Sequence, residues 1–129
     1  MNKILVEVSV GELLDKVSIL EIKKEKIKDP EKLKFIENEH SILTEQLNKN
    51  VKTDQKLNDL FLTLKNINAK LWVIEDDKRQ CEKDKEFSDK FVKLSRDVHF
   101  LNDDRAKIKL EINNYTGSKI KEIKEYTSY

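Results

Sequence analysis

The chain has 129 residues, of which 37% are hydrophobic and 40% charged, and its formal net charge is +1. That length makes one domain, and the composition excludes a broad core, so a narrow helical bundle or coiled coil fits better than a sandwich. The balanced charge, with no basic block interleaved with aromatics, gives no reason to expect a nucleic-acid partner.

Residues 3–8 alternate Ile4, Val6 and Val8 with Leu5 and Glu7 and read as a short extended arm in residues 1–8. This apolar cluster is too short for a secretory segment, and no run in the chain approaches membrane-spanning length. Ser9 and Glu12 then form the pattern of a capping box, in which the serine oxygen accepts a free backbone N–H and the glutamate reaches back to the serine N–H. A first helix follows, with Leu13, Val17, Leu20 and Ile27 on one face. On it Asp15, Lys16 and Glu21 read as an interhelical ion pair or as part of a site, and the residues favour the ion pair. Asp29 and Pro30 stop this helix and start the next, with Asp29 as N-cap and proline in the first turn.

The second helix carries Leu33, Ile36, His40, Leu43 and Leu47 at heptad spacing and frays around residues 48–50. Thr53 or Asp54 caps a third helix that runs to about residue 82, with Leu57, Leu60, Leu64, Ile67, Leu71 and Ile74 as its apolar stripe. After a polar break at residues 83–86, a fourth helix follows Ser88 and ends at Gly117 in a left-handed C-cap. Its stripe is Phe91, Leu94, Val98, Leu101, Ile108, Ile112 and Tyr115, and Arg105 occupies the seam position between Leu101 and Ile108. Residues 118–126 are expected to add one or two turns within a C-terminal tail, 118–129.

The expected fold is therefore all-α: a helical bundle in a single domain, 1–129, dominated by a long antiparallel hairpin at about residues 54–82 and 88–116. Two shorter helices cover one side of it. Each hairpin helix would be roughly 40–45 Å long at 1.5 Å per residue. A core that narrow often completes itself by oligomerising, so a homodimer is expected.

Asn68, Trp72, Glu75 and Arg79 recur at helical spacing beside the apolar stripe of the third helix. Antiparallel pairing around residue 85 sets Asn102 and Arg105 opposite residues 69 and 66, and Arg96 near Glu75. Asn68, Asn102 and Arg105 then meet in mid-bundle, either as a hydrogen-bonded layer that fixes register or as an anion site using Arg105 with Arg79 or a lysine. Only Arg79, Arg96 and Arg105 are arginine among the 26 basic residues, which suggests positions where a planar donor matters.

His40 reads as a hydrogen-bonded core residue. A di-iron bundle needs a second Glu-x-x-His pair, and Arg96 stands where His99 would require a glutamate. The acidic clusters at residues 75–77 and 103–104 point in several directions and make no calcium loop. Cys81, the one cysteine, excludes an internal disulfide or a cysteine-based zinc site in the chain and fits a reducing, cytoplasmic setting. No metal site and no cofactor are expected. Glycine-rich phosphate loops and nucleophile motifs are lacking.

Several blocks together resemble an uncharacterised family of short helical bacterial and phage proteins. They are Ser9 to Lys16 (Ser-x-Gly-Glu-Leu-x-Asp-Lys), Leu71-Trp72-Val73-Ile74-Glu75-Asp76-Asp77-Lys78-Arg79, and Asn102-Asp103-Asp104-Arg105-Ala106-Lys107-Ile108-Lys109. Gly117-Ser118 and Lys124-Glu125-Tyr126 match the family's ending loosely, and His99 replaces an expected tyrosine. The resemblance brings no activity. It implies at most a link to surface-glycan metabolism or phage-encoded pathways. It singles out Trp72, Glu75, Arg79, Asn102 and Arg105. Two functional classes follow: a non-enzymatic binding or assembly module, or a small all-α enzyme or ligand binder that holds an anionic metabolite with Arg and Lys.

Overall fold

The computed structural model describes residues 2–129. Among these it holds four helices and no strand: α1 Val10–Lys26, α2 Pro30–Asn50, α3 Gln55–Lys83 and α4 Asp89–Thr116. The chain is an all-α bundle built on the expected hairpin.

The starts of α1, α2 and α3 and the end of α4 have local causes. The Ser9 oxygen accepts the Glu12 N–H at 3.0 Å. The other half of the expected capping box does not form, because the Glu12 carboxylate is taken by Lys109 at 2.7 Å. Asp29 accepts the Glu31 N–H at 3.0 Å, with Pro30 opening α2. Asp54, rather than Thr53, caps α3 by accepting the Leu57 N–H at 2.9 Å. α4 ends on Gly117 at φ 68°, and the Ser118 N–H donates back to the Asn113 carbonyl at 2.9 Å. This is the six-to-one closure that a left-handed residue permits.

No further helical turn follows Gly117, contrary to the expectation for residues 118–126. The tail instead returns along α4. Glu122 accepts from Lys109 at 3.2 Å, the Tyr129 hydroxyl donates to Asp103, and the Tyr129 ring meets Phe100 edge-on at 5.5 Å between centroids.

α1 is the hub. It packs against all three other helices, whereas α2 packs along α1 alone and α3 pairs with α4. Eight of the 17 residues of α1 are buried, against three of 28 in α4, so α1 behaves as an interior helix. The expectation that two short helices cover one side of the hairpin thus holds for α1 only. α2 forms an outer layer whose C-terminal Leu47 reaches the core. That core joins Leu13 and Leu14 of α1 to Leu57, Leu60 and Leu64 of α3 and Ile112 of α4. Each fully enclosed leucine contributes about 1.5–3 kcal/mol over an exposed one.

At 1.5 Å per residue α1 is about 26 Å long and the hairpin helices about 43 Å. α1 therefore covers only part of them. Beyond Leu71 only Cys81 is buried in α3, and no residue of α4 before Lys109 is buried. The far half of the hairpin is a two-helix arm whose apolar seam is only partly covered. Among the described residues, no helix is long and apolar enough to cross a membrane.

Candidate functional site

Asp15 lies on the face of α1 that meets both hairpin helices, between the apolar Leu13, Leu14 and Val17. It is 1% exposed. A carboxylate that far from water requires compensation, and three side chains supply it. Arg105 of α4 donates from Nε to one oxygen at 3.0 Å and from Nη2 to the other at 2.5 Å. Asn68 of α3 donates to Asp15 at 2.8 Å and to the hydroxyl of Ser18 at 2.8 Å. The Ser18 hydroxyl in turn donates to the Asp15 backbone carbonyl at 2.8 Å. Lys109, one turn beyond Arg105, lies 3.8 Å from Asp15 and bonds Glu12 at 2.7 Å and Glu122 at 3.2 Å.

Burial alone would raise the Asp15 pKa. The hydrogen bonds from Arg105 and Asn68 and the nearby cations outweigh it and hold the carboxyl below its ordinary value. The Asp15 hydrogen bond holds Arg105 above its ordinary value. For Lys109, burial pulls the pKa down, but the Glu12 bond and the Asp15 charge more than reverse it. All three groups stay charged at neutral pH.

The N-terminus of α1 is closed as completely. Its first three N–H groups, which a helix leaves unpaired, donate to Ser118 Oγ at 3.2 Å, Asn113 Oδ1 at 2.7 Å and Ser9 Oγ at 3.0 Å. This needs the backbones of α1 and α4 to touch. A Cβ on Gly11 would lie 2.6 Å from the Lys109 carbonyl oxygen. A smaller cluster joins three helices through Glu21, which meets Lys65 at 3.2 Å and His40 at 3.4 Å.

Of the residues marked by the sequence, Asn68 and Arg105 meet, through their shared partner Asp15. Asn102 and Trp72 are half-buried and make no side-chain hydrogen bond among the described residues. Glu75 and Arg79 are exposed and take part in no ion pair among the described residues, and the expected pairing of Arg96 with Glu75 is not formed. Arg79 is 11 residues from Asn68, about 16 Å along α3, so it does not join Arg105. Lys109, Asn113 and the close approach at Gly11 escaped the sequence reading. Gly11 carried a usable signal, since a glycine in the first turn of a helix weakens it and calls for a packing reason. Lys109 carried none, being one of many lysines.

Among the described residues no group of three or more His, Cys, Asp or Glu side chains is placed to hold a metal ion. The segments that meet here, residues 9–16 and 102–109, are two of the three blocks that carry the family resemblance. The model of a family of unknown function (DUF6165) matches residues 4–129. The chain belongs to DUF6165. No curated protein and no solved structure matches it. Membership in DUF6165 thus adds no activity to what the geometry offers.

Proposed function

We propose that this chain is a non-enzymatic binding and assembly module that works through the arm of its hairpin, in the cytoplasm, within a surface-glycan or phage-encoded pathway of bacteria. The observation that carries the reading is an uncovered groove of about 650 Å³ between α3 and α4, lined by Ala69, Val73, Ile74, Phe100 and Leu101, with Lys70 and Asp97 at its edges. Val73 and Phe100 remain 47% and 44% exposed there. An apolar surface on a long, thin arm is what a helical partner buries.

The rival reading, an anionic metabolite held by arginine and lysine, loses support at the polar cluster. Lys109 is enclosed by Glu12, Glu122 and Asp15, and Arg105 gives Nε and Nη2 to Asp15. Its Nη1 and Nη2 still carry free N–H groups, but the bidentate pair with Asp15 already neutralises the guanidinium charge and weakens its hold on a second anion. The buried thiol of Cys81 suits a reducing cytoplasm.

Light scattering tests the reading. At high micromolar concentration the chain is expected to weigh more than its 15.3 kDa monomer, and a clean monomer overturns it. A thermal-shift panel of anionic metabolites, nucleotide-sugars and divalent metals is expected to give no stabilisation. A ligand that stabilises the parent but not Arg105→Met would restore the enzyme or binder reading.

A further inference from the structure

We infer that the groove is a self-recognition surface, on which a second copy of this chain lies with the two-fold axis parallel to the hairpin, so that α3 of each copy rests on α4 of the other. The inference rests on the assembly reading and gives it a partner and a register.

The groove faces away from the chain's own third layer. At 100° per residue Val73 points about 140° from Asn68, and Phe100 about 140° from Arg105. Asn68 and Arg105 are the residues that meet α1. A copy seated on this face meets α3, α4 and the Tyr129 ring that packs on Phe100, and leaves both α1 and α2 layers outside, clear of the contact.

The charges on the two rims fit that orientation. On α3 Lys70 carries no ion pair among the described residues, and Asp77 follows on the same face two turns toward the tip. On α4 the corresponding order is Asp97 and then Lys93, which pair with each other at 2.7 Å. The α3 rim therefore runs positive then negative toward the tip, and the α4 rim negative then positive. An axis along the hairpin keeps each level and exchanges the helices. It brings Lys70 to the partner subunit's Asp97, Asp77 to the partner subunit's Lys93, and Val73 to the partner subunit's Phe100. An axis across the groove at the level of Val73 would instead set Lys70 on the partner subunit's Asp77 and Asp97 on the partner subunit's Lys93, a match that a joint reversal of Lys70 and Asp97 does not restore.

The size agrees. A face of two helices, roughly 40 Å by 20 Å, covers about 800 Å² per copy. That is about what each partner buries in an interface of standard size.

The test uses the full chain in sedimentation equilibrium, with circular dichroism and melting to check folding. All three positions are solvent-accessible, so the variants fold. Val73→Asp is expected to abolish the dimer. Lys70→Asp and Asp97→Lys are each expected to weaken it about tenfold or more, and the double reversal in one chain to restore it to within about threefold. A dimer indifferent to Val73→Asp overturns the surface while the assembly reading stands. Single losses without rescue by the double reversal overturn the axis. A parent chain that stays monomeric at several hundred micromolar overturns the inference together with the assembly reading.

Discussion

Arg105 holds both carboxylate oxygens of Asp15, at 3.0 and 2.5 Å, across 90 residues of sequence. The pair ties the first helix to the fourth at the level where Asn68 ties it to the third. Arg105→Met leaves a carboxylate in the interior without its main partner and is expected to cost about 3 kcal/mol or more in urea unfolding. The double variant Asp15→Leu with Arg105→Met removes both charges and recovers most of that loss. A single Arg105→Met variant as stable as the parent would show that the pair holds nothing together.

The same cluster sets the pH range of stability. The Asp15 pKa is lower in the folded chain, so its contribution is present above the ordinary carboxylate pKa of about 3.9 and is lost as pH falls through the depressed value. The Lys109 pKa is raised, so its contribution is present below the ordinary lysine pKa of about 10.4 and is lost as pH rises through the higher value. Unfolding midpoints are expected to be flat through neutral pH and to fall at both extremes. Asp15→Asn should flatten the acid limb and, because the Asp15 charge helps to raise Lys109, also reduce the alkaline one.

Gly11→Ala improves helix propensity yet is expected to destabilise the chain by about 1–3 kcal/mol. The added carbon would lie 2.6 Å from the Lys109 carbonyl oxygen, which is backbone and cannot swing aside. Gly117→Ala, which meets open space but sits at φ 68°, should lose about 1–2 kcal/mol from the backbone alone. Thermal melts of the two variants, read together, separate contact from conformation.

Arg79→Met and Glu75→Gln are expected to change stability by less than about 0.5 kcal/mol, since both side chains are exposed and make no hydrogen bond or ion pair among the described residues. A larger loss in urea unfolding would reveal an interaction on the arm.

The hairpin was legible because Leu57 to Ile74 and Phe91 to Ile112 repeat at a fixed period, and because Asp29, Pro30, Asp54 and Gly117 mark helix ends through short-range chemistry. Arg105 was legible as a seam residue that needed a partner. The identity of that partner was not, because Asp15 sits on another helix and its approach depends on how α1 crosses the hairpin. Pairing α3 with α4 alone put Asn68 and Arg105 at one level, and the structure inserts Asp15 between them. Trp72, Glu75 and Arg79 stood out as a stripe, but a stripe gains meaning only from what packs on it, and α1 is too short to reach along the whole arm. Lys109 became distinctive only once the bend of the tail brought Glu122 to it.

The caps on α1 come from the far end of the chain: Asn113 closes a loop of 102 residues onto Gly11, and Ser118 one of 108 onto Val10. On the ribosome, α1 emerges before the other three helices, with an interior helix's apolar surface and no α3–α4 layer to enter. The α3–α4 hairpin can zip up from its own turn through contacts close in sequence, while α1 waits for the last turn of α4 before its N–H groups are satisfied. The first of these four helices to be synthesised is therefore the last to be locked, and until then the same leucines that build the core are open to chaperones and to other copies of the chain.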